Sequence, residues 1–207
     1  MTQAIFLGSF NPPHKGHYNC IKSIIDSGVL ESNGIEKIHI IPCFQNPNKQ
    51  KYTTSFVARY KMCEMMFRDL ISDKKVVIDD IENELRPEYT CDLLGYFYRG
   101  NDKMIGKDFW WIITEETYKE ILDNKWKESK WLLENNKFII VYEKNNNGIP
   151  KEISKLLWNE KAILIPLNGT MDIHSTLLRE IIKNNGLIEE FTNKEIQDFI
   201  DKNNLYK

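Results

Sequence analysis

The 207-residue chain has four cysteines, and no two of them are close. Cys20, Cys43, Cys63 and Cys91 form no Cys-x-x-Cys pair. That favours a reducing, cytoplasmic compartment over a disulfide framework or a zinc site. An excess of one charge is also missing. Lys and Arg total 28 against 30 Asp and Glu, a net charge of −2. Such a chain has no basic field for tracking nucleic acid, so any phosphate must be held by a local site. No apolar run approaches the roughly 20 residues of a membrane span, so no membrane partner is expected. Polar and charged residues follow the first apolar run almost at once, which argues against a signal peptide. There is no repeat, and the only low-complexity stretch is Asn145 to Asn147. Histidine is scarce too: there are four, and two of them share one turn.

What is present suffices for a core. Hydrophobic residues make up 42% and aromatic residues 12%, too apolar for disorder. The length suits one domain over 1–207, with C-terminal helices from about residue 175 packing on it.

The chain is organised around Ile5-Phe-Leu-Gly-Ser-Phe-Asn-Pro-Pro-His-Lys-Gly-His-Tyr18. Ala4 to Leu7 reads as a buried strand, broken by Gly8. Asn11-Pro12-Pro13 forces an extended turn, because proline fixes its own φ and restricts the residue before it. Gly16 lets the backbone approach a bulky group. From His17 the pattern turns helical, with Ile21, Ile24 and Ile25 on one face. His14 and His17 stand three apart across a glycine, so both imidazoles can face one anion at a helix N-terminus. A metal pair is the other chemical reading, but no third ligand cluster lies nearby in sequence.

Further along, Ile38 to Ile41 reads as a second strand ended by Pro42, with His39 packed on it. The polar loop Gln45 to Lys51 follows at that strand's C-terminal end, where ligands bind in open parallel sheets. Lys49 and Lys51 are its candidates for reaching a phosphate. Ser55 to Ser72 reads as a helix with Met62, Met65 and Met66 as core filler, and Arg59 in its first turns. Val76 to Ile81 reads as a third strand. Asp79 and Asp80 within it point to opposite faces, so they make a poor metal pair. Thr90 is placed to cap a helix to about Tyr98. Phe109 to Ile113, Phe138 to Tyr142 and Ala162 to Leu167 read as strands, with a short helix from Glu152 to Trp158 before the last. Trp110, Trp111, Trp131 and Trp158 read as core. Ser175 or Thr176 is placed to cap a helix to about Asn185, with Arg179 one turn in, as a second anion site needs. Asn193 to Asn203 reads as a last amphipathic helix. Strands alternating with helices predict an α/β fold, a mostly parallel sheet of about six strands with helices on both faces.

Gly8-Ser9-Phe10-Asn11-Pro12-Pro13-His14-Lys15-Gly16-His17 resembles the signature of the HxGH nucleotidylyltransferases. Within them it is most similar to the nicotinate or nicotinamide mononucleotide adenylyltransferases, and the resemblance covers nearly the whole chain. It implies a Rossmann-like nucleotidylyltransferase fold and a reaction of ATP with a pyridine mononucleotide, giving a dinucleotide and pyrophosphate. It implies His14 and His17 as the catalytic pair. It implies ATP contacts at Gly8, Ser9, Phe10, Gly16, Ser175, Thr176 and Arg179, the last three from the similarity of Ile173-His-Ser-Thr-Leu-Leu-Arg179 to a clamp for the β- and γ-phosphates. It implies a mononucleotide site at Asn11, Lys49, Tyr89, Thr90, Asp92 and Trp126, with the indole stacked on the pyridine ring. Mg²⁺ would ride on the ATP phosphates with no protein ligand set.

Three places depart from the family pattern, one of them His174, which stands where serine is usual. Leu93 stands where a second threonine is expected, and Thr114-Glu115-Glu116 replaces Gly-Ala-Asp, leaving Glu116 as the stand-in for a ribose contact. Pantetheine-phosphate adenylyltransferases and cytidylyltransferases are the nearest rivals. A class I aminoacyl-tRNA synthetase is disfavoured by the short chain and the missing Lys-Met-Ser-Lys-Ser loop. A non-catalytic nucleotide-sensing module is the alternative from another class. Nicotinate against nicotinamide, and a monomer against a homo-oligomer, stay open.

Overall fold

The computed structural model describes residues 2–47, 52, 54–144, 148–158, 160–169 and 173–207. Lys49, Lys51 and the side chain of Trp158 therefore lie outside the described residues. The strands are β1 (Thr2–Gly8), β2 (Ile35–Pro42), β3 (Val76–Ile78), β4 (Phe109–Thr114), β5 (Lys137–Tyr142) and β6 (Ala162–Pro166). The helices are α1 (Lys15–Asp26), α2 (Val29–Ser32), α3 (Phe56–Met66), α4 (Arg68–Ser72), α5 (Ile81–Leu85), α6 (Thr90–Tyr98), α7 (Glu115–Leu122), α8 (Ser129–Asn135), α9 (Lys151–Ser154), α10 (Ser175–Lys183) and α11 (Lys194–Lys202).

All strand pairs are parallel, in the order β3-β2-β1-β4-β5-β6. This is the doubly wound order, and it reverses between β1 and β4. The loops after these two strands leave in opposite directions and open a crevice at their C-terminal ends.

The apolar strand runs follow from burial on both faces. Alternate residues go to opposite sides. Ala4, Phe6, Ile38, Ile40, Trp110, Ile112, Ile139 and Val141 join one core, which also takes Leu178 and Ile182 of α10 and Ile196 and Ile200 of α11. Ile5, Ile41, Trp111, Ile113, Phe138, Ile140 and Tyr142 join the other, with Leu93, Leu94 and Phe97 of α6.

Local expectations needed correction where tertiary contacts intervene. The helix expected over Ser55 to Ser72 breaks at Phe67, whose ring is fully buried and lies near Phe10 and Tyr18. The third strand stops at Ile78. Asp79 accepts the Ile81 N–H at 3.0 Å and so starts α5, while its other oxygen meets His39 Nδ1 at 3.0 Å. Helix α1 begins at Lys15, two residues before the expected start, with His14 as its N-cap. Tyr89, not Thr90, is the N-cap of α6, and Asp92 accepts the Tyr89 N–H at 2.9 Å. Likewise His174, extended at φ −115° and ψ 135°, is the N-cap of α10, and Ser175 and Thr176 are its first helical residues. Trp110 and Trp111 are core as expected, whereas Trp131 is half-buried beside Tyr98.

Gly8 shows how tightly the first loop is folded. A Cβ there would lie 2.8 Å from Phe10 Cζ and 2.9 Å from Cε2. The Phe10 ring is fully buried and has nowhere to go. Gly8→Ala should therefore destabilise the protein by about 1–3 kcal/mol, the usual cost of overpacking. Urea unfolding with an unchanged midpoint would show that the ring gives way.

Candidate active site

At the mouth of β1 the chain turns sharply into α1. Phe10 adopts a left-handed φ of 45° and the Asn11–Pro12 peptide is cis. His14 is extended, at φ −149° and ψ 171°, and its backbone N–H donates to His17 Nδ1 at 3.2 Å. That bond has a chemical consequence. A ring nitrogen that accepts is unprotonated, so the proton of neutral His17 is on Nε2. The loop thus fixes the tautomer that makes Nε2 a donor. The two imidazole centroids are 3.7 Å apart at a 35° tilt, and Phe10 braces His17 edge-on at 4.9 Å.

Burial first, and the neighbouring His174 second, pull the His14 pKa down to about 3. At neutral pH His14 is therefore uncharged. Lys15, the cation of the signature, is turned away. Its N–H donates to Phe191 O at 2.8 Å and its Nζ to Glu190 O at 2.7 Å.

The N-terminus of α10 leans on the same loop. Ser175 Oγ donates to Pro12 O at 2.9 Å. Arg179 donates from one nitrogen to Asn11 O at 2.8 Å and from the other to Thr176 Oγ1 at 3.1 Å. A cleft of about 760 Å³ brings these pieces together. Gly8, Ser9, Phe10, Asn11, His14, Gly16, His17, Glu116, Ser175, Thr176, Arg179 and Trp126 all line it. For Phe10 the ring is core, so only its backbone can meet a ligand.

The replacement of Gly-Ala-Asp has a structural sense. Thr114 caps α7 by accepting the Thr117 N–H at 3.2 Å, and Glu116 follows in the first turn beside the cleft. A carboxylate there can accept from hydroxyls, as a ribose requires.

Trp126 stands where the cleft meets a smaller pocket of about 80 Å³, which Tyr89 and Thr90 also line. Its Nε1 donates to Glu120 at 2.9 Å, and Trp111 meets it edge-on at 5.9 Å. The indole is thus held in place. Asp92 lines neither cavity, because its carboxylate is occupied at the start of α6.

Two supporting residues were not singled out as site residues. Arg59 is 1% exposed and donates to Ser9 O at 2.8 Å and Phe44 O at 3.0 Å, with its guanidinium over the Tyr52 ring. Glu82 accepts the Phe44 N–H at 2.7 Å. Burial pushes its pKa up to about 7, against the pull of that N–H and of Arg59. Together they clamp Phe44 and join the loops after β1 and β2. The only sequence signal was an arginine inside an apolar helical pattern.

A model of the cytidylyltransferase-like family matches residues 5–181. A probable nicotinate-nucleotide adenylyltransferase from Fusobacterium nucleatum subsp. nucleatum is 34% identical, with 98% of each chain covered. Another, from Christiangramia forsetii, is 29% identical over 98% of this chain and 97% of its own. The Plasmodium falciparum nicotinic acid mononucleotide adenylyltransferase complexed with NaAD has a TM-score of 0.74 at 23% identity, covering 99% of this chain and 97% of that one. That likeness extends the fold match over both full lengths.

His14 yields a test. Its folded pKa of about 3 lies below the unfolded value of 6.5. Between those values the unfolded chain holds a proton that the folded chain lacks, so stability falls as pH drops from about 6.5 towards 3. An anion beside His14 opposes that shift. Tripolyphosphate binding at pH 5 should therefore take up as much as one proton, and less in His14→Gln. Calorimetry in buffers of different ionisation enthalpy reads this directly, and equal uptake in both proteins would assign the proton elsewhere.

Proposed function

The chain belongs to the cytidylyltransferase-like family, and we infer that within it the protein is a nicotinate- or nicotinamide-nucleotide adenylyltransferase of NAD biosynthesis. The relatives' names favour nicotinate mononucleotide as its pyridine substrate. One observation carries the site assignment. Two closely packed imidazoles, one with its Nδ1 held by a backbone N–H so that Nε2 is left as the donor, lie at a helix N-terminus in the crevice where the sheet order reverses.

The chemistry needs little else. The mononucleotide phosphate has a second pKa of about 6, so it is already an anion at neutral pH and needs no general base. One of its oxygens attacks the α-phosphorus of ATP in line. The bond from that phosphorus to the bridging oxygen breaks, and the electron pair leaves with pyrophosphate. Catalysis is then positioning and charge stabilisation. In this reading His17 donates from Nε2 to the α-phosphate. His14, Ser175, Thr176 and Arg179 hold the β- and γ-phosphates, with Arg179 exchanging its Thr176 contact for phosphate oxygens. Gly8, Ser9 and Gly16 offer close backbone approach, and Glu116 accepts from the ribose. Asn11, Tyr89, Thr90 and Trp126 take the mononucleotide, its pyridinium over the indole face.

The donors on the phosphate side are nitrogens and hydroxyls, not a carboxylate cage. That set fits Mg²⁺ carried by the phosphates rather than by the protein. When bound, the ion would neutralise phosphate charge.

All four cysteines are free, which suits the reducing cytoplasm where we place the enzyme. Among the described residues no helix is long and apolar enough to cross a membrane.

A coupled pyrophosphate-release assay with ATP and a panel of acceptors tests the assignment. Nicotinate or nicotinamide mononucleotide should support turnover, and phosphopantetheine should not. Turnover with phosphopantetheine alone, or with no acceptor, would reject the reading. His17→Ala should lower kcat by about 10²–10³, the usual worth of a preorganised donor, with far smaller changes in substrate Kd. A single-turnover rate that falls only in proportion to lost ATP binding would remove His17 from the chemistry.

A further inference from the structure

Beyond α11 the chain folds back onto the site. Asn204 and Tyr206 both take left-handed φ values, 49° and 68°, although neither is glycine. The Leu205 N–H donates to Ile200 O at 3.0 Å, and Lys207 pairs with Asp201 at 3.2 Å. This turn brings the Tyr206 ring against the core that carries β1 and α10. Its hydroxyl donates to Asn11 Oδ1 at 2.8 Å, across 195 residues of sequence. Thr54, itself 4% exposed, is the phenol's other hydrogen-bond partner. Backbone strain at a non-glycine residue persists where surrounding contacts over-determine it. Here those contacts converge on one side chain of the cleft.

Asn11 is consequently held twice. Arg179 takes its carbonyl, and Tyr206 takes its side-chain oxygen. With Oδ1 occupied, Nδ2 is the part of the carboxamide left to face a ligand in the cleft that Asn11 lines. Nδ2 carries two donor protons, while Oδ1 carries only lone pairs. The two ends of the amide have opposite effects on an anion, so the orientation matters more than the contact.

We propose that Tyr206 is a positioning residue for the transfer reaction: its hydroxyl orients the Asn11 carboxamide so that Nδ2 donates to the phosphate of the mononucleotide. The proposal rests on the function inferred above. Without the hydroxyl the amide is free to turn and present its oxygen to the phosphate.

Tyr206→Phe keeps the ring and removes only the hydroxyl. Loss of one hydrogen bond of ordinary worth corresponds to about a 5- to 10-fold change. The variant should therefore lose about that much in kcat/KM and in affinity for nicotinate mononucleotide, with ATP affinity unchanged. Thermal stability should also fall by a few degrees, as for any lost internal hydrogen bond, so it does not discriminate. The discriminating measurement is a double-mutant cycle with Asn11→Ala. If Tyr206 acts through Asn11, Tyr206→Phe costs nothing further in the Asn11→Ala background. Equal losses in both backgrounds, or an unchanged mononucleotide affinity in Tyr206→Phe, would overturn the proposal. Mononucleotide Kd is read by calorimetry as well as by turnover. A wild type that binds the mononucleotide but makes no dinucleotide would therefore overturn the function and leave the Tyr206 test standing.

Discussion

The hydrogen bond from the His14 backbone N–H to His17 Nδ1 is the constraint on which the site depends. It requires His14 to be extended at the N-cap and His17 to sit at the third helical position. Those demands fix the distance of three residues between the two rings. They also decide which nitrogen of His17 carries its proton. A free imidazole in water samples both tautomers; here one is selected by the backbone before any ligand arrives. This is preorganisation in its simplest form, because no reorientation is needed when charge shifts on a nearby phosphate.

Most of the surrounding structure secures the loop that holds this bond. Arg59 takes Ser9 O, Arg179 takes Asn11 O, Ser175 takes Pro12 O, and Phe191 O receives the Lys15 N–H. These anchors come from α3, α10 and the segment before α11, so the loop is built from the whole chain. The carbonyls engaged in this way already have donors. Hydroxyls, imidazoles and the Arg179 guanidinium line the cleft near this loop, and Glu116 and Glu120 line it on the α7 side. In the proposed function these local groups hold polyphosphate although the chain carries a net charge of −2. Arg179 is the one cation among the cleft-lining residues described.

The far end of the cleft follows a different logic. Trp126 stands between the large cavity and the small one, its ring fixed by Glu120 and Trp111. The indole face offers π density and its edge is already satisfied. Burial raises the Glu82 pKa to about 7 in the same neighbourhood. Glu82 lines the small pocket and accepts the Phe44 N–H.

Much of this was legible from residue order alone. Apolar runs placed all six strands, and the spacing of His14 and His17 across Gly16 pointed to an anion site at the first helix. These signals are local: each needs only a few neighbouring residues and the geometry of one element. The composition of Thr90, Ser175 and Thr176 suggested caps, and there local propensity failed. Their positions were taken by Tyr89 and His174, the last extended residues before each helix: Asp92 reaches back to the Tyr89 N–H, Ser175 turns its hydroxyl to Pro12 O, and Thr176 accepts from Arg179 one turn along the same helix. Phe10 read as a ligand contact, yet its ring is core, since only the folded loop decides which side of the backbone is inside. Arg59, Glu82 and Tyr206 gave almost no signal. Their roles depend on meeting Ser9, Phe44 and Asn11, which lie 15 to 195 residues away. The amino-acid order determined the elements, their alternation and the turn that carries His14 and His17. The tertiary structure alone decided which atoms of that turn face the cleft, because such orientation is set by hydrogen bonds and packing between segments distant in sequence.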